Sequence, residues 1–113
     1  MITDYEFGRM RINATWYTRD LLIKEGVVLP QWWRQSGHVC DVADLQPLLE
    51  DSVEVIVLGS GNPGLMRPSD TLRDFLRVKD IELIVQPTRE AIHTFNELLG
   101  QGRKVGAGFH LTC

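Results

Sequence analysis

Three sets of residues in this 113-residue chain have the types and spacing to do chemistry. The first is Gly59-Ser60-Gly61-Asn62-Pro63-Gly64, directly after the apolar run Val53-Glu54-Val55-Ile56-Val57-Leu58. It satisfies the Gly-x-Gly-x-x-Gly spacing that lets a backbone approach a pyrophosphate at a helix N-terminus. The context fails that chemistry twice. Leu65-Met66-Arg67-Pro68 delay the helix until Ser69, and the next strand ends in Val85-Gln86-Pro87 without the ribose-binding carboxylate. Asp80 and Glu82 have the right separation but flank the beginning of that strand. A nicotinamide or flavin cofactor is therefore not expected. What survives is a turn outside the carboxyl end of a strand, where open α/β sheets hold their ligands. The N–H groups of Ser60 and Gly61, the helix start at Ser69 and Arg67 would suit an anion there, although Asp70 and Asp74 already complement the helix dipole.

The second set, His38, Cys40, His110 and Cys113, has the ligand types of a Cys₂His₂ zinc site. Its spacing is not that of a zinc finger, and no metal is expected. The third set comprises two nucleophile–base pairs, Cys113 with His110 and Ser60 with His110. A thiol at position 113 is hard to shield from water, and Gly-Ser-Gly is not the Gly-x-Ser-x-Gly elbow. No catalytic residue is assigned. If the turn holds a ligand, Gly59, Ser60 and Gly61 form the floor of the pocket. Thr88, Asn96 and His110 then supply its adjustable polar groups.

The elements that must position these residues follow from periodicity. Residues 53–58 predict a strand. Ser69 predicts the cap of a helix over 70–78, with Leu72, Phe75 and Leu76 on one face. A second strand spans 81–85. Thr88 predicts the cap of a longer helix over 89–99, with Ala91, Ile92, Phe95, Leu98 and Leu99 as its stripe and Gly100 or Gly102 as its stop. The last strand spans 103–111. Alternation puts Val105, Ala107, Phe109 and Leu111 on one face and Gly106, Gly108, His110 and Thr112 on the other, where two glycines permit close approach of a neighbour. Strand–helix–strand–helix–strand with short connections predicts three parallel strands joined by two right-handed crossovers.

Residues 1–40 form a β-rich part ahead of this 53–113 βαβαβ part, in one domain over 1–113. Met10, Ile12 and Ala14 alternate with polar residues, 16–23 is rich in strand formers, and Lys24-Glu25-Gly26 turns the chain into Val27-Val28-Leu29. A short helix is predicted over 42–49, capped by Asp41 or Asp44. Trp16, Trp32 and Trp33 are core aromatics unless exposed. Exposure of Trp32 or Trp33 would mark a protein interface or a homodimer contact.

Composition removes whole classes. A net charge of −3 leaves no footprint for nucleic acid. No apolar run approaches the roughly 20 residues that span a bilayer, so no membrane insertion is expected. The first residues do not read as a signal peptide, and the two cysteines suit a reducing compartment, so a cytoplasmic location is expected.

Phe7-Gly8, Ile12 followed by Tyr17, Trp33, Gly59-Ser60-Gly61, Thr88-x-x-Ala91 followed by Asn96, and His110-x-Thr112-Cys113 together carry a likeness over nearly the whole chain. With them the chain resembles the small α/β family that includes the human adipogenesis-associated protein and a mitochondrial respiratory complex I assembly factor. Asn13-Ala14 departs from the pattern, which often carries glycine after the isoleucine. The resemblance implies a three-layer α/β single domain, a mixed central sheet with helices plus an N-terminal β-hairpin layer. It implies no cofactor and no catalytic residue, and it points to contacts with other proteins, as in assembly. The alternative is a small-ligand-binding domain or enzyme with its pocket at the Gly59–Gly61 turn.

Overall fold

The computed structural model describes residues 1–50 and 52–113. Five short strands come first: β1 (Ile2–Glu6), β2 (Arg9–Ile12), β3 (Thr15–Tyr17), β4 (Leu21–Lys24) and β5 (Val27–Leu29). Then follow β6 (Val39–Cys40), a 3₁₀ turn (Val42–Leu45), α1 (Gln46–Leu49), β7 (Val55–Gly59) and β8 (Arg67–Pro68). The chain closes with α2 (Asp70–Val78), β9 (Glu82–Gln86), α3 (Thr88–Gly100) and β10 (Val105–Phe109).

Strand β7 organises the fold. Val55 and Val57 enter one core, Ile56 and Leu58 enter another, and all four are buried. A strand apolar on both faces must be covered on both. It sits inside a five-stranded mixed sheet ordered β5-β4-β10-β7-β9. The three strands β10, β7 and β9 are parallel, and β4 and β5 extend the sheet antiparallel.

One face carries α3 through Ala91, Ile92 and Phe95, and the antiparallel sheet β1-β2-β3 through Ile2, Tyr5, Met10 and Ile12. The other carries α1 and α2 through Leu48, Leu72 and Leu76. The two crossover helices thus lie on opposite faces of a three-layer α/β domain.

Local chemistry explains most boundaries. Ser69 accepts from the Leu72 N–H and starts α2. Asp41 and Asp44 form a reciprocal capping box that starts the 42–49 helical segment, 3₁₀ first and α after. Gly102, at φ +75°, lies beyond the last turn of α3 in the left-handed region. The β4–β5 connection uses Glu25 and Gly26 at φ 50° and 78°, the mirror-image turn that matches strand twist.

Two expectations change. The 16–23 run is two strands in different sheets, because the chain leaves the small sheet after Tyr17 and joins the large one at Leu21. Ala14 does not continue the Met10–Ile12 alternation. It occupies the β2–β3 turn with Asn13, at φ 71° and 48°. Among the described residues no helix is long and apolar enough to cross a membrane.

Candidate functional site

The carboxyl ends of β7, β9 and β10 meet at the glycine turn, and the groups there bond to one another. The Ser60 N–H donates to the Gln86 carbonyl at 2.8 Å. The Gly61 N–H donates to Thr88 Oγ1 at 2.9 Å, and Thr88 Oγ1 donates to the His110 carbonyl at 2.6 Å. The Thr88 N–H returns to the Gly61 carbonyl, and the His110 N–H to Gly59. The two amides expected to face an anion are therefore already engaged. Thr88 is not the cap of α3 either. Pro87 holds that position, and the Thr88 side chain ties the turn to β10 instead.

Steric room is equally absent. Gly61 stands at φ +101°, and a Cβ there would lie 2.4 Å from the Thr112 carbonyl and 2.8 Å from His110 Cδ2. A Cβ on Gly59 would lie 2.6 Å from Phe109 Cδ1. The Asn62 and Leu65 N–H groups donate to the carbonyls of Thr112 and Cys113, so the last residues seal the turn. Ser60, Thr88 and His110 are all buried. Gly59, Ser60, Gly61, Thr88 and His110 do converge, as a closed junction rather than the floor of an open pocket. Asn96 lies elsewhere. Its side chain accepts from the Ile2 N–H and donates to the Ile2 carbonyl, clamping β1 onto α3.

Beside the junction lies a charged cluster that sequence reasoning missed. Asp20 Oδ1 accepts from the Leu111 N–H at 2.8 Å. Its Oδ2 accepts from Arg34 Nη2 at 2.9 Å and from His110 Nδ1 at 2.8 Å. Arg34 Nη2 gives its other hydrogen to the Gly37 carbonyl at 2.7 Å. Both Nη2 hydrogens are thereby used, so its 3.2 Å approach to His110 Nδ1 brings together two donors aimed at one carboxylate. His110 is thus fixed with its proton on Nδ1. Its Nε2 is buried without a hydrogen-bond partner among the described residues, and the His38 and His110 ring centroids lie 5.6 Å apart in an edge-on arrangement. Burial pushes the Asp20 carboxyl up, but hydrogen bonds from His110, the Leu111 N–H and Arg34 outweigh it and hold it below the usual carboxylate range. The only sequence signal was a lone carboxylate inside the 16–23 run of strand formers.

The two tryptophans separate. Trp32 lies on Gly108, where an added Cβ would meet its ring at 2.9 Å. Its indole N–H donates to the Asp44 carbonyl, and the Arg34 guanidinium stacks 4.5 Å over its ring. Trp33 is 77% exposed. The glycine face of β10 does admit close neighbours, as its alternation predicts: Leu48 on Gly106 and Trp32 on Gly108. Cys40 is fully buried in the α1–α2 core, and burial pushes its thiol up to about 12. Among the described residues no three His, Cys, Asp or Glu side chains come within reach of one metal ion.

Residues 2–110 match the family described as protein of unknown function (DUF498/DUF598). Solved structures agree along the whole chain. A protein designated MT938 is 30% identical at a TM-score of 0.82, covering 100% of this chain and 98% of its own. A conserved hypothetical protein from Pyrococcus horikoshii OT3 is 25% identical at 0.85, with 100% and 99% covered. A protein from Bartonella henselae described as an outer membrane protein is 27% identical at 0.84, with 99% and 94% covered.

Proposed function

We propose that this chain, which belongs to the DUF498/DUF598 family, works by non-enzymatic contact with other proteins, as an interaction or assembly factor. The observation that carries this reading is the contrast at the carboxyl end of the sheet. Its polar groups are bonded inward, while large apolar side chains point outward around them. Phe7 (59% exposed) precedes Gly8, whose N–H donates to the Leu111 carbonyl. Leu65 (51% exposed) donates its N–H to the Cys113 carbonyl. Trp33 lines a concave surface with Asp20, which holds Leu111 and His110. Three exposed apolar residues thus adjoin residues that hold the 110–113 segment. Exposed apolar side chains gathered around one feature mark interaction surfaces, with tryptophan the type most enriched in binding hot spots. The resemblance to a mitochondrial complex I assembly factor points the same way. A cytoplasmic setting belongs to this reading, supported by the free thiols of Cys40 and Cys113.

Affinity capture from cells of the source organism, with wild type and Trp33→Ala side by side, tests it. A partner recovered reproducibly by wild type and lost with Trp33→Ala supports the reading. Identical recovery by both proteins contradicts it.

A second reading, small-ligand binding or catalysis, has one observation in its favour: Asp20 holds His110 through Nδ1 as a carboxylate orients a catalytic histidine. A ligand present at a hundred times its Kd adds about 2.7 kcal/mol of stability. A metabolite screen by thermal shift that finds such a gain, abolished in His110→Ala, would favour it.

A further inference from the structure

Strand β9 ends the order β5-β4-β10-β7-β9, so only one of its two sides is paired. The Glu82 N–H donates to the Glu54 carbonyl, and the Gln86 carbonyl accepts from the Ser60 N–H. Glu82, Ile84 and Gln86 therefore turn their backbone groups towards β7. Alternate residues of a parallel strand turn the other way, which leaves the N–H and C=O groups of Leu83 and Val85 facing outward. Among the described residues neither makes a backbone bond outside the sheet. Such an edge is a template for another strand, and proteins blunt it with brevity, charge, proline or bulges. The other edges show those devices. Strands β3 and β5 have three residues each, and β6 and β8 two. Strand β1 has a register irregularity between Ile2 and Asp4 and carries exposed Asp4 and Glu6. Strand β9 runs for five residues in unbroken register. Leu83, Ile84 and Val85 at its centre are apolar and half-buried.

The ends of this edge decide what can pair with it. The Ile81 N–H is spent on the Leu76 carbonyl, and Pro87 has no N–H. Along the edge, Leu83 and Val85 alone keep both groups open. A second copy running antiparallel, with a two-fold axis at Ile84, sets Leu83 against Val85 twice. Each of those pairs exchanges both of its hydrogen bonds, so every open group is satisfied. Moving the axis to Leu83 sets Val85 against Ile81, whose N–H is taken. Moving it to Val85 sets Leu83 against Pro87. The Ile84 register also sets Glu82 against Gln86, so no like charges meet across the strands. The edge is thus self-complementary, as a two-fold contact between identical chains demands.

We propose that β9 pairs antiparallel with β9 of a second copy about an axis at Ile84, joining two five-stranded sheets into one. The pairing uses none of Phe7, Trp33 and Leu65, so it stands or falls separately from the contact face at the carboxyl end. A contact built on one short edge is a weak one, with a dissociation constant of about 0.1 mM. Sedimentation velocity of the full chain up to about 1 mM, with amide hydrogen exchange at the same concentrations, tests it. The expected result is a reversible monomer–dimer equilibrium in which exchange at Leu83 and Val85 slows as concentration rises. Gln86→Glu keeps the oxygen that accepts from Thr94 Oγ1 and sets a carboxylate against Glu82; it should weaken dimerisation about fivefold. Adding Glu82→Lys, at an exposed position, turns both cross-strand pairs into opposite charges and should restore at least the original affinity. A monomer at every concentration, a dimer whose Leu83 and Val85 amides exchange as fast as in the monomer, or one dissociation constant shared by all three proteins overturns the proposal.

Discussion

Thr88 satisfies a buried donor and a buried acceptor with one hydroxyl. Thr88→Val keeps the shape but strands the Gly61 N–H and the His110 carbonyl. At about 1–3 kcal/mol for each unsatisfied group, urea denaturation should show a loss of about 2–6 kcal/mol, and Thr88→Ser should recover most of it. Asp20 makes a pH-dependent contribution. Its folded carboxyl binds a proton less readily than the unfolded one, so protonation favours unfolding. The contribution is complete above the ordinary value of 3.8 and is lost as pH falls through the lowered folded value. Asp20→Asn removes that acid-sensitive part, and at neutral pH it leaves Arg34 buried without its counter-ion at a cost of about 3 kcal/mol. Stability measured from pH 2 to 7 checks both effects; an unchanged acid limb in Asp20→Asn would contradict the assignment. Gly59, Ser60 and Gly61 could be picked out from sequence because glycine beside an apolar strand signals a turn. Asp20 and Arg34 could not, because their pairing depends on how the first 40 residues fold back on β10.

At the scale of elements, the β2–β3 turn carries avoidable strain. Ala14 stands at φ 71°, a conformation that costs a residue with a Cβ about 1 kcal/mol. Ala14→Gly should therefore stabilise the domain by up to that amount despite its entropic cost, visible as a raised Tm. Helix α3 is hydrogen-bonded to β1 through Asn96, which clamps the Ile2 backbone beside their shared apolar core. Asn96→Ala should speed amide exchange along β1 while β7 and β10 keep their protection; uniform loss across all strands would show that β1 is not held separately. The 53–113 elements were legible because each crossover carries its own periodicity and cap. The β-rich part was less so, since strands of three to five residues do not announce which sheet they join. The Thr88 cap failed for an instructive reason: a threonine at a helix start looks the same whether its hydroxyl serves the helix or a neighbouring strand.

For the whole molecule, the same three layers that bury β7 leave the two ends of the sheet unlike each other. The carboxyl end is closed by hydrogen bonds, with exposed Phe7, Trp33 and Leu65 adjoining residues that close it, and the amino end holds a cleft lined by Leu48, Val53, Leu99 and Val105. Those exposed positions bear on contacts rather than on folding. Trp33→Ala should change unfolding free energy by less than about 0.5 kcal/mol while weakening partner capture. The most direct test places a photo-reactive phenylalanine analogue at position 33 and, as control, at position 78, whose valine is equally exposed just before β9 at the other end of the sheet. After illumination in cells of the source organism, a contact face at the carboxyl end predicts a discrete cross-linked species of constant mass from position 33 and none from position 78. Equal cross-linking from both positions, or cross-linking from position 78 alone, would contradict it.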